Sequence, residues 1–170
     1  MRESRYLKDD PKNIQKLMTI PVFKDFEVAS LGELLKISKM REYEDGEQII
    51  KEGQHDPWLY FLHTGGVKIV KQGQILADLR RCGDVFGEMG MIGGFERSAS
   101  AFAVGETTCL ATDASKIEDI TGENRLAFNY VLYWIFAEIL TERLKSTSDE
   151  LVKVKKELAK LKSGENVPAA

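Results

Sequence analysis

Between Met40 and Asp113 the apolar residues fall into short runs, each closed by a turn that carries glycine. Tyr43 leads into Asp45-Gly46, and residues 48–51 lead to Gly53. Residues 58–62 are followed by Gly65-Gly66, 67–70 by Gln72-Gly73, and 75–79 by Cys82-Gly83. Residues 99–104 alternate roughly and end at Gly105, and 107–112 close the series. Short strands at such regular spacing, with glycine turns, predict a sandwich or closed barrel rather than βαβ units. Both flanks change period. Asp10-Pro11 reads as an N-cap followed by proline at the first helical position, opening a short helix through about Met18. Ile20-Pro21-Val22-Phe23 ends it, and Ser30 is expected to cap a second short helix through Ile37. After the strands, 115–120 reads as a short helix, and a long one runs from Glu123 or Asn124 to about Lys162. Its first half, 126–140, is apolar nearly all round and is expected to be buried on more than one side. Its second half is charged except for one seam: Leu144, Thr147, Leu151, Val154, Leu158 and Leu161, at gaps of 3, 4, 3, 4 and 3. That is a heptad pattern. Residues 163–170 read as a frayed, disordered tail.

A chain of 170 residues suits one domain with an appendage, and 43% apolar residues suffice for a real core. The net charge of −3, with acids interleaved among the bases, argues against a nucleic-acid-binding surface. Residues 1–10 are charged and polar, unlike a signal peptide. The longest apolar run, 131–140, contains Glu138 and is too short to span a bilayer, so no membrane partner is expected. Cys82 and Cys109 lack metal-ligand spacing and suit a reducing cytosol, each as a small buried hydrophobe. A cytoplasmic location is expected. His55 and His63 lie eight apart with no His-x-His, which does not make the metal site of a cupin-type enzyme. No Ser-His-Asp or Cys-His nucleophile set is visible either, so catalysis is not expected.

Chemistry concentrates in one stretch, 86–99, which reads Phe-Gly-Glu-Met-Gly-Met-Ile-Gly-Gly-Phe-Glu-Arg-Ser-Ala. Gly87 and Gly90 leave room for backbone N–H groups to approach an anion. Arg97 supplies a planar, always-charged fork suited to phosphate oxygens. Glu88 is repelled by a phosphate and needs a donor, for which a sugar hydroxyl is the natural candidate. A phosphate acceptor and a hydroxyl acceptor in one cradle describe a nucleotide site. An isolated match of this kind is more often a turn with a surface ion pair worth under about 1 kcal/mol. Here the match extends further. The stretch closely resembles the phosphate-binding cassette of cyclic-nucleotide-binding domains, above all that of the bacterial catabolite activator family. The run Gly46, Gly53, Tyr60 and Gly66-Val67 ahead of it follows the same family, and the resemblance covers roughly residues 20–150.

The resemblance implies a mainly β fold with flanking helices: a jelly-roll (double-stranded β-helix) barrel with a long C-terminal helix. It divides the chain into an N-terminal helical segment (1–19), the jelly roll (20–125), the long helix with its coiled-coil seam (126–162) and the tail. Carried over by position, Arg97 is the phosphate clamp, helped by Ser98 and by backbone N–H groups of Gly87, Glu88 and Met89. As such a clamp it is expected to be exposed and to add little to stability. Glu88 accepts from the ribose 2′-hydroxyl, and Thr147 and Ser148 read the base from both subunits of a homodimer formed through the helix. For Thr147 the alternative is a hydroxyl bonded back to its own helix. The implied ligand is cyclic AMP, although a hydroxyl directly after the arginine is compatible with cyclic GMP. The winged DNA-binding segment of the catabolite activators has no counterpart here, nor does a kinase or channel segment. The nucleotide is therefore expected to act on an unknown protein effector or on the partner state of this chain. The competing reading is a degenerate, non-binding jelly roll that serves as an interaction or oligomerisation module; the intact Glu88 and Arg97 weigh against it.

Overall fold

A computed structural model describes residues 1–24, 26–92, 94, 96–120 and 124–163. Along the chain lie β1 (Arg2–Glu3), α1 (Pro11–Leu17), a 3₁₀ turn (Pro21–Phe23), α2 (Val28–Lys36), β2 (Ser38–Tyr43) and β3 (Gln48–Ile50). Then come β4 (Trp58–Lys71), β5 (Gln74–Leu79), β6 (Val85–Phe86), α3 (Glu88–Ile92) and β7 (Ser100–Asp113). A second 3₁₀ turn (Ala114–Asp119) precedes α4 (Asn124–Ser163). The chain divides into two compact units, Met1–Val131 and Leu132–Ala170.

In the first unit β4 and β7, fourteen residues each, pair antiparallel from Trp58 opposite Asp113 to Val70 opposite Ser100. The described strands run β1-β2-β7-β4-β5, with β3 added on β7 and β6 on β4. The register slips between Leu62 and Thr64 and again between Thr64 and Gly66. Such bulges bend both long strands at their middles, so β5 and β3 cover one half and β6 and β2 the other. This is the flanked jelly roll expected from the sequence.

The two long strands differ from expectation. Residues 58–62 and 67–70 are halves of one strand, as are 99–104 and 107–112. Gly65-Gly66 is the bulge, not a turn between strands. Gly65 sits at φ +84°, and a Cβ there would lie 2.4 Å from the Glu106 carbonyl oxygen. The buried Thr107 hydroxyl donates to the Gly66 carbonyl at 2.9 Å and locks the bulge. The bulge at Gly65 and the turn at Gly73 both use a glycine at positive φ, so their sequences look alike.

The helices keep part of their predicted ends. Asp10 caps α1 by accepting from the Asn13 N–H at 2.9 Å, with Pro11 at the first position. Ser30, however, lies inside α2, whose N-cap is Glu27 without a side-chain cap bond. Leu31, Leu34 and Leu35 are buried, and packing of that face places the helix more strongly than a cap. The strand β1 has no apolar alternation and left no signal; it pairs with β2, and Glu3 accepts from Arg41 Nε at 2.7 Å.

Both faces of 59–62 are buried. Tyr60 and Leu62 join Ile50, Val67, Phe86, Ala101, Cys109 and Ala111 inside the barrel, where Tyr60 stacks on Phe86 at 5.0 Å. On the other face Phe61 meets Phe23 at 4.7 Å, Phe23 meets Phe26 edge-on at 5.4 Å, and Phe26 meets Phe128 at 6.4 Å. Each such ring contributes on the order of 1.5–3 kcal/mol on burial. Cys109 is the expected buried hydrophobe, its thiol pKa pushed up to about 12 by burial. Cys82 is not: it is exposed in the turn before β6, where a turn residue has little to pack against.

The second unit is the continuation of α4, and its seam residues Leu144, Leu151, Val154, Leu158 and Leu161 are exposed. The first half of α4 is buried along one face, by Phe128, Leu132, Ile135 and Phe136, but not on more than one, because Leu126, Tyr130, Tyr133 and Trp134 are exposed. An apolar circumference signals faces that favour burial, not that one chain supplies every cover. No helix among the described residues is long and apolar enough to cross a membrane.

Candidate functional site

The cassette is assembled by β6 and by the loop that leads into β7. Phe86 anchors its ring on Tyr60; the next residue, Gly87, turns the chain at φ +86°, and α3 begins at Glu88. Beyond α3 the chain returns to Arg97, whose backbone is stitched to the loop before β4. Gly53 N–H donates to the Arg97 carbonyl at 2.8 Å, and Arg97 N–H donates to the Gln54 carbonyl at 2.9 Å. His55 bridges Glu96 beside them.

This stitching points the Arg97 side chain inward, and only 3% of the residue is exposed. Its Nε donates to Asp56 Oδ2 at 2.9 Å, Nη1 donates to the Gly87 carbonyl at 2.6 Å, and Nη2 donates to Asp56 Oδ1 and to the Trp58 carbonyl. The exposed, energetically idle arginine expected from the sequence is therefore corrected to a buried one with a bidentate carboxylate partner. A guanidinium has five N–H donors, and these bonds engage four. The two glycines make room for it: a Cβ on Gly87 would lie 2.8 Å from Arg97 Nη1, and one on Gly90 3.0 Å from it. Asp56 went unnoticed in the sequence because its partner lies 41 positions away and its neighbours carry no motif.

Glu88 opens α3 and is 1% exposed, unusual for a carboxylate. Met89 is exposed beside it, and Ser98 Oγ lies 3.6 Å from Met89 Sδ. The fold thus gathers Gly87, Glu88, Met89, Arg97 and Ser98 in one cassette. Thr147 and Ser148 belong to the second unit, exposed on α4. A second buried cation sits under the same strand. Arg41 lies over the Trp58 ring at 3.8 Å and donates from Nη1 to the Tyr60 hydroxyl at 2.8 Å, and burial raises the pKa of that hydroxyl. The site thus sets a guanidinium, its fork held by the Asp56 carboxylate, beside the buried Glu88 carboxylate.

The family profile described as cyclic nucleotide-binding domain matches residues 40–124. The chain is 30% identical over 135 residues to the cAMP-dependent protein kinase regulatory subunit of Mycosarcoma maydis; the match takes in 77% of this chain and 24% of that protein. The chain thus spans about a quarter of the length of that relative. Among solved structures it resembles a cyclic nucleotide-binding domain from Methylobacillus flagellatus, with a TM-score of 0.72 and 24% identity over 84% of each chain. The catabolite activator protein of Thermus thermophilus gives a TM-score of 0.61 and 29% identity, covering 79% of this chain and 63% of that one.

Proposed function

Since the chain belongs to the cyclic nucleotide-binding domain family, we propose that its cassette binds cyclic AMP in preference to cyclic GMP and transmits occupancy through α4 and a homodimer. The observation that supports this best is the Arg97 guanidinium held on the Gly87 carbonyl, one residue from the buried Glu88. A cyclic phosphate would take the fifth N–H of Arg97 and exchange with one Asp56 oxygen, helped by Ser98 and by the backbone N–H groups that open α3. Glu88 would accept from the 2′-hydroxyl. Thr147 and Ser148 would read the adenine, each subunit contributing from its helix. A ligand shared across that seam binds the paired state more tightly, and only such a difference in affinity can shift the pairing equilibrium. The regulatory subunit it resembles acts with a kinase, so a protein effector is the further partner we propose.

Calorimetric titration tests the assignment. Cyclic AMP should bind more tightly than cyclic GMP, and Glu88→Ala should weaken cyclic AMP roughly 10- to 150-fold, the loss of one hydrogen bond to a charged acceptor. The 2′-deoxy analogue should lose much less. Equal losses for both ligands would sink the ribose role. One observation favours a second reading, a non-binding interaction module: Arg97 is already satisfied largely by Asp56. Absence of heat with either nucleotide would establish that reading.

A further inference from the structure

Arg41 makes none of the contacts assigned to the nucleotide, yet only 8% of it is exposed. Burying a permanent charge is costly unless partners offset the loss of water. Those partners are specific. Arg41 Nε donates to Glu3 Oε2 at 2.7 Å, Nη1 donates to the Tyr60 hydroxyl at 2.8 Å, and the guanidinium lies 3.8 Å from the centre of the Trp58 ring. Glu3 also accepts from Lys39 Nζ at 2.6 Å, so β1 supplies a counter-charge for Lys39 and Arg41 alike.

Both aromatic contacts of Arg41 lead to the cassette. Trp58 opens β4, and its backbone holds both halves of the buried ion pair. Its N–H donates to Asp56 Oδ1 at 3.0 Å, and its carbonyl accepts from Arg97 Nη2. Tyr60 stacks on Phe86 with the ring planes 8° apart, and Phe86 precedes Gly87, whose carbonyl accepts from Arg97 Nη1 at 2.6 Å. A guanidinium stacked on an indole restrains the ring, and through it the backbone that carries the ring. A small shift of Trp58 would move its amide and its carbonyl together and turn the fork away from an oxyanion.

We propose that Arg41 is a positioning residue for the phosphate site: stacked on Trp58 and held there by Glu3, it sets the aim of the Arg97 fork without touching the ligand. This role rests on the nucleotide-binding reading above and extends that site to the N-terminal strand. A lysine would fill the place only in part. Its point charge can lie over the ring but cannot present a planar fork to Glu3 and Tyr60 at once.

Arg41→Met keeps an unbranched stem and removes the stack and both donors. Calorimetry on the full chain should find cyclic AMP and cyclic GMP weakened by the same factor, roughly tenfold, because both carry the same phosphate. Arg41→Lys should fall between the parent and Arg41→Met, and Glu3→Gln should act in the same direction. Trp58→Leu combined with Arg41→Met should bind no more weakly than the weaker of the two single variants, since steps of one linkage do not add. Additive losses, or a changed ratio of the two nucleotides, would overturn the proposal. Hydrogen exchange of the ligand-free chain gives a readout that needs no nucleotide. Arg97 Nε–H, bonded to Asp56 and recognised by its absence from Arg97→Lys, should exchange roughly tenfold faster in Arg41→Met. The Leu62 backbone N–H, which donates to the Asp84 carbonyl at 2.8 Å, should keep its rate. Equal acceleration of both would make Arg41 a general stabiliser and overturn its positioning role. Selective acceleration in a chain that binds neither nucleotide would remove the nucleotide reading and leave the linkage from Arg41 to Arg97 standing.

Discussion

A guanidinium keeps its charge at any working pH, so burial of Arg97 to 3% exposure requires acceptors on the protein itself. Asp56, the Gly87 carbonyl and the Trp58 carbonyl supply them. Removing the arginine leaves Asp56, only 29% exposed, without its counter-charge. Arg97→Ala should therefore destabilise the fold by about 2–4 kcal/mol as well as abolish cyclic AMP binding, because hydrogen bonds to charged groups are worth about 1.5–3 kcal/mol each. Urea unfolding beside calorimetry checks both halves; a variant as stable as the parent would mean that the Asp56 pair contributes nothing. Arg97→Lys should keep more of the stability than Ala yet still bind poorly, since an ammonium cannot reproduce the fork. The grouping of Gly87, Glu88, Arg97 and Ser98 was legible at this scale because they lie within one short loop. Asp56 was not, since nothing local distinguishes a buried carboxylate from a surface one before the chain is folded.

Among elements, the bend of β4 shows how one local signal can have two outcomes. Gly65 and Gly73 have nearly the same φ, +84° and +80°. Around Gly73 a Cβ would meet nothing within 4 Å, whereas at Gly65 it would press on the Glu106 carbonyl and on Thr107. Gly73→Ala should therefore cost only the left-handed backbone penalty, about 1–2 kcal/mol. Gly65→Ala should cost that and at least about 1–3 kcal/mol more from overpacking against backbone. The difference between their denaturation midpoints measures it, and equal midpoints would mean that the bulge tolerates a side chain. The sequence marked both sites as glycine turns, and both glycines take positive φ. Which glycine ends a strand and which bends one was set by the partner strand, through the Thr107 hydroxyl on the Gly66 carbonyl. The Ser30 cap and the unsignalled β1 have the same origin: packing and strand pairing outweighed local preference.

At the scale of the whole molecule, the buried ionisable groups set a pH limit. Burial raises the pKa of the Tyr43 and Tyr60 hydroxyls and pushes the Cys109 thiol up to about 12. In the unfolded chain these groups release protons near their ordinary values, about 8.5 for the thiol and about 10 for the phenols. Below those values folded and unfolded chains hold the same protons, and the stabilisation is fully present. As the pH rises through them only the unfolded chain ionises, so stability must fall. Urea midpoints should be lower at pH 11 than at pH 8, and Cys109→Ala should lessen the fall; a flat profile would mean that water reaches these groups. The sequence by itself determined the architecture, because strand period, glycine turns, the Asp10-capped helix and the heptad seam are local patterns that any compact arrangement must respect. It also determined which loop carries the cassette, since Gly87, Glu88, Arg97 and Ser98 are neighbours along the chain. Only the tertiary structure decided that β4 and β7 are single bent strands, that Asp56 holds Arg97, and that the apolar helix face around Tyr133 and Trp134 is exposed. Each of these depends on partners distant along the chain or on cover from elsewhere, and no stretch of sequence encodes the identity of its own neighbour in space.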